Sequence, residues 1–175
     1  MRSRRSLLLA AVGLLVTALL VTEFVVFVKP PTSQARPVDV VAVLGGGDFT
    51  ARKQVGIDVA GLRPGTILMF SLNDPSACPW KQYLPQFEVI CFRADPATTQ
   101  GEARYVTALA RRRGAGSIAV VTSADQLLRA RLRFSRCWDG ELRMVEAPSS
   151  TLGVIARVPY QTMAMLKALV LQRSC

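Results

Sequence analysis

The 175-residue chain contains no histidine. That absence excludes a Ser/His/Asp triad, a Cys/His nucleophile pair and any imidazole metal ligand. CxxC spacing is missing as well. Its four cysteines, Cys78, Cys91, Cys137 and Cys175, therefore lack both usual patterns of a zinc site, and no metal is expected. No segment recurs at a solenoid period, so one domain of ordinary size remains once a targeting segment is set aside. Acidic groups are also short, 12 against 22 basic ones for a formal charge of +10. Eighteen of those 22 are arginine, a bias that composition alone could produce.

What the chain does have begins at its first residues. Arg2, Arg4 and Arg5 precede a run from Leu7 to Val28 that is apolar except for Ser/Thr-type positions, Gly13 and Glu23. At about 1.5 Å per residue the run spans roughly 33 Å, against about 30 Å for a hydrocarbon core. Three arginines before it and Lys29 after it predict a single-pass helix in the cell membrane, with a cytoplasmic amino terminus and everything after Pro30 outside the cytoplasm. Residues 1–29 are thus read as a signal anchor. A cleaved signal peptide is the alternative, because Ser33-Gln34-Ala35 offers small residues at the cleavage positions. Residues 30–37, polar and broken by Pro30, Pro31 and Pro37, read as a stalk, and 38–175 as the ectodomain.

An exported domain meets an oxidising compartment, where four cysteines predict two disulfides. Cys78 with Cys91 and Cys137 with Cys175 is the preferred pairing, since each clips a local loop or the carboxyl terminus to a neighbour. Residues 31–175 hold 18 basic and 11 acidic groups, a net +7. Such a domain tethered to a bilayer is drawn to the membrane's anionic lipid headgroups or to anionic wall polymers. No nucleic acid partner is expected outside the cytoplasm.

Buried strands are read at Val38–Leu44, Thr66–Ser71, Phe87–Phe92, Ser117–Val121 and Glu141–Val145. Helices are read behind Asp48, at Thr99–Arg113 and at Ala124–Cys137, with a short helical piece inside 75–84. Strands alternating with helices imply parallel pairing through right-handed crossovers. The predicted fold is α/β, a three-layer sandwich with a mainly parallel, Rossmann-like sheet, preceded by one transmembrane helix. Beyond Ala147, residues 151–158 read as an edge strand and Tyr160–Leu171 as a last amphipathic helix packing Met163, Leu166 and Val170.

In such sheets ligands bind beyond the carboxyl ends of the strands, where helix-start N–H groups face the opening. Three corners suit that edge. Gly45, Gly46 and Gly47 with Asp48 let backbone approach a ligand closely. Thr99 and Glu102 fit a capping box, and Ser123 with Gln126 fits a second; capping alone accounts for both pairs. Arg129, Arg133 and Arg136 then share one face of a helix, a stripe that is ordinarily solvated surface, although Arg129 lies close enough to the helix start to reach a bound oxyanion.

These corners, "VLGGG" at 43–47 followed by Arg52, "TQGEA" at 99–103 and "VTSADQLLRA" at 121–130, resemble in order and spacing the YdcF/ElyC/SanA-like family, the domain of unknown function 218. The resemblance covers roughly residues 38–145. It implies an envelope protein with one membrane helix and a ligand site at Gly45, Gly46, Gly47, Arg52, Thr99, Glu102, Ser123, Gln126 and Arg129. Gln126 stands where the family pattern has histidine, so a proton carrier is lost there. Some relatives imply S-adenosylmethionine, which an exported domain would rarely meet, and no cofactor is expected. Two functions remain open. One is a binding protein for an anionic, phosphorylated envelope ligand, and the other is an enzyme acting on such a ligand through Glu102 and Arg129.

Overall fold

A computed structural model describes residues 2–76 and 78–175, so Met1 of the expected anchor lies outside the described residues. The chain opens with α1 (Arg2–Glu23), followed without a break by Phe24–Val28, which winds in the wider π form and packs against later helices, burying Phe27. The stretch Arg4–Val28 is long and apolar enough to cross a membrane, with a mean hydropathy of 2.5 and almost none of its surface covered by protein.

Five strands follow: β1 (Val40–Val43), β2 (Ile67–Ser71), β3 (Glu88–Phe92), β4 (Ser117–Ser123) and β5 (Glu141–Ala147). They form one sheet in the order β3-β2-β1-β4-β5, and every pair is parallel. The three central strands are buried at every residue, which is why they read as unbroken apolar runs, while β3 and β5 at the edges mix buried and exposed positions. Alternate residues of β1 and Leu44 just after it feed two cores. Val40, Ala42 and Leu44 pack with Ala103, Val106 and Ala110 of α4 (Thr99–Arg112) and with Leu127, Ala130 and Phe134 of α5 (Ala124–Ser135). Val41 and Val43 pack on the other face with Val59 and Ala60 of α2 (Phe49–Ala60) and with Trp80 of the single-turn α3 (Trp80–Tyr83).

Residues 30–37 take neither helix nor strand, and they lie against the domain. Ser33 N–H donates to Met144 O at 2.8 Å, Met144 N–H donates to Ser33 Oγ at 3.1 Å, and Arg131 donates to Pro31 O. This covers part of the open edge of β5. The cysteines pair as Cys78–Cys91 and Cys137–Cys175, with Cα separations of 6.0 and 4.8 Å.

The carboxyl-terminal quarter departs from the sequence reading. Residues 151–158 are not an edge strand. They form the first half of one 20-residue helix, α6 (Thr151–Val170), with Pro159 inside it. The β-branched residues there suggested a strand, but Ser150 caps the helix and polar contacts on both sides of the proline hold it. Met163, Leu166 and Val170 do not pack inward; all three are exposed, and α6 buries Val154, Gln161 and Ala168 instead. The arginine stripe is no solvated surface either, since Arg133 is buried against Gln172 and Arg136 donates to Ala168 O and Gln172 O, each at 2.8 Å.

Candidate functional site

The strand order reverses between β1 and β4, and the crevice belongs at the carboxyl ends of those two strands. A pocket of about 510 Å³ lies there. Gly45, Gly46, Gly47, Thr99, Glu102, Gln126 and Arg129 all line it, brought together from the three corners.

The loop after β1 turns back through Gly46 and Gly47, at φ of 79° and 58°, which only glycine adopts without strain. Among the described residues neither glycine N–H finds an acceptor. Gly45 N–H is engaged, donating to Glu102 Oε1 at 2.9 Å. Asp48 turns its carboxylate to Ala51 N–H and caps α2.

That bond to Glu102 exists because the expected capping box does not form. The cap of α4 is Thr98, whose Oγ1 accepts from Gly101 N–H at 3.3 Å. The one-residue shift moves Glu102 past the third helical position, so its carboxylate cannot fold back on its own helix start. It reaches across the sheet edge to Gly45 N–H, with the Ser71 hydroxyl beside it. Burial raises its pKa above the usual carboxylate value, although Gly45, Ser71, Arg52 and Arg129 each pull the other way. Glu102 is thus a buried acid aimed at a pocket rather than a capping residue.

The second predicted box fails for a similar reason. β4 continues to Ser123 and α5 starts at Ala124 with no intervening turn. Ser123 Oγ makes no cap bond. It donates to Asp125 Oδ1 at 2.6 Å and accepts from Arg52 Nη2 at 2.8 Å. Arg52 also donates to Leu44 O at 3.2 Å and Gly45 O at 2.6 Å, and Asp125 accepts from Gln161 Nε2 and pairs with Arg157 Nε at 3.1 Å. Arg52 and Ser123 therefore do not line the pocket. They belong to a buried chain of polar contacts behind it, which ties the glycine loop, α2, β4, α5 and α6 into one rigid rim. Gln126 stays at the pocket wall, its side-chain Oε1 accepting a long 3.5 Å contact from Thr122 Oγ1.

Arg129, half-buried, is the end of this arrangement that lines the pocket. Among the described residues no hydrogen bond or ion pair engages its guanidinium, and its Nε is buried without an acceptor. Burial lowers its pKa, while Tyr160, Glu102 and Asp125 nearby favour its charge. A desolvated cation without a bonding partner is costly unless something supplies one.

Ser71, Asn73, Arg93 and Tyr160 also line the pocket and were not picked out from the sequence. Ser71 ends β2, and Asn73 and Arg93 follow β2 and β3 at the same carboxyl-terminal edge, so the rule that selected the glycine loop extends to them. Tyr160 was hidden by the misreading of α6. No family model, curated protein or solved structure matches the chain.

Proposed function

We propose that this chain is a single-pass membrane-anchored protein of the cell envelope, with its amino terminus in the cytoplasm and its α/β domain outside. In this reading the sheet-edge pocket binds an anionic, phosphorylated ligand, and the protein serves envelope or wall biogenesis. The observation that carries the reading is Arg129, a half-buried guanidinium that has no bonding partner among the described residues and shares one pocket with two glycine N–H groups that find no acceptor among those residues. A planar fork and the amides of a glycine loop leading into a helix together suit a phosphate. Two cysteine pairs at bonding distance suit an oxidising compartment, and the positive amino-terminal flank favours this orientation. Strand order and helices on both sheet faces support a three-layer, Rossmann-like architecture and the likeness to YdcF/ElyC/SanA-like proteins.

Glu102 favours a second reading, an enzyme. Burial raises the pKa of Glu102, which favours the form able to give a proton to the leaving oxygen of a phosphate ester as water attacks phosphorus, with Arg129 balancing the phosphoryl charge. Calorimetric titration of the full chain in detergent with inorganic phosphate, pyrophosphate and glycerol 3-phosphate tests both. Saturable binding without phosphate release supports the binding protein. Release from glycerol 3-phosphate that Glu102→Gln abolishes supports the enzyme. Failure to bind any of the three overturns both.

A further inference from the structure

Helix α6 carries its polarity inside out. Arg157 and Gln161 turn inward to Asp125, and Thr162 Oγ1 donates to Glu23 Oε1 of α1 at 3.0 Å. The opposite side presents Leu152, Ile155, Pro159, Met163, Leu166 and Val170, spaced three or four residues apart and therefore aligned along one stripe. All six are exposed, the five other than Pro159 by 48 to 79 %. A water-facing helix of a globular domain puts its polar residues outside, and a continuous apolar stripe marks a surface that something covers.

The contact with α1 says what covers it. Glu23 lies five residues before Val28, the outer end of the span. At about 1.5 Å per residue that is roughly 7 to 8 Å below the end, within the roughly 5 to 10 Å at which interfacial helices ride. Thr162, bonded to Glu23, shares that depth, and Met163 and Leu166 follow it on the same helix. Lys167, exposed beside the stripe, can run its stem along apolar surface and hold its ammonium among headgroups.

Resting on the reading of α1 as a membrane span, we infer that α6 is a second, non-spanning membrane contact whose apolar stripe lies in the outer bilayer interface and fixes the domain against the lipid. The same helix supplies Tyr160 to the pocket, so the pocket is held close to the headgroup level.

The test uses the full chain reconstituted in phosphatidylcholine vesicles with brominated acyl chains, which quench tryptophan fluorescence inside the bilayer. Four single variants, Met163→Trp, Leu166→Trp, Val25→Trp and Arg112→Trp, are read against the native background of Trp80 and Trp138. Tryptophans at 163 and 166 should be blue-shifted and lose emission about as much as the one at 25, while the one at 112 keeps its emission. Water-like, unquenched emission at 163 and 166 with quenching retained at 25 overturns the inference and leaves α1 as a span. Blue-shifted but unquenched emission also overturns it, because the stripe is then covered by protein, whether a second copy or another membrane helix. Unquenched emission at 25 as well overturns the membrane reading of α1 itself.

Discussion

At the amino ends of β1 and β4, Asp39 Oδ2 accepts from Gly116 N–H, Ser117 N–H and Ser117 Oγ at 2.8 to 2.9 Å, and its other oxygen pairs with Arg63. At the carboxyl ends of the same strands, Glu102 receives Gly45 N–H and the Ser71 hydroxyl, and among the described residues Arg129 has no bonding partner. Both edges hold a carboxylate, an arginine and backbone N–H groups. Although burial pushes Asp39 up, its hydrogen bonds and Arg63 outweigh that and hold its pKa below the ordinary value, whereas burial wins at Glu102 and raises it. One edge is chemically closed and serves the fold. The other keeps unspent donors and a destabilised charge state, the condition expected where a ligand completes the contacts.

The largest effect on stability belongs at the closed edge. Asp39→Ala removes the acceptor shared by three donors that join β1 to β4, and should lower the unfolding free energy by about 2 kcal/mol. Urea denaturation of the detergent-solubilised chain measures it. A loss under about 0.5 kcal/mol, the range of ordinary surface changes, would erase the contrast with the open edge.

A smaller, pH-dependent effect separates the two carboxylates. Asp39, with its folded pKa depressed, adds stability that is present above its unfolded value of 3.8 and lost as pH falls through the folded value. Glu102 behaves oppositely. Its folded pKa is raised, so above 4.5 the unfolded chain releases a proton that the folded chain keeps, and stability falls as pH climbs from there to the folded value. Glu102→Gln keeps an acceptor for Gly45 N–H and removes the titration. The variant should match the parent near pH 4 and exceed it at pH 8 in melting temperature. Parallel curves across that range would place Glu102 in an ordinary solvated environment.

The sheet was legible because its central strands are buried on both faces, leaving runs such as Ile67–Ser71 with no exposed position to confuse the pattern. The corners were legible as places, since Gly45–Gly47, Thr99–Glu102 and Ser123–Arg129 end strands or begin helices. Their internal bonding was not. Thr98 and Thr99 are both good caps, and local pattern does not choose between them. The choice decides whether Glu102 folds back on α4 or crosses to β1. Ser123 was likewise drawn from its helix start by Arg52 and Asp125, contacts 71 and 2 residues away. In the second half of α6 the apolar residues Met163, Leu166 and Val170 face outward, so a periodicity taken as a core signal pointed away from the core.

The central claim, that the open edge takes an anion and the closed edge does not, is tested most directly by pyrophosphate affinity of the full chain, of Arg129→Ala and of Arg63→Ala. Loss of one charged hydrogen-bonding group should weaken binding at least about tenfold in Arg129→Ala. The account predicts that loss alongside parental affinity in Arg63→Ala. Equal affinity in all three proteins would contradict it.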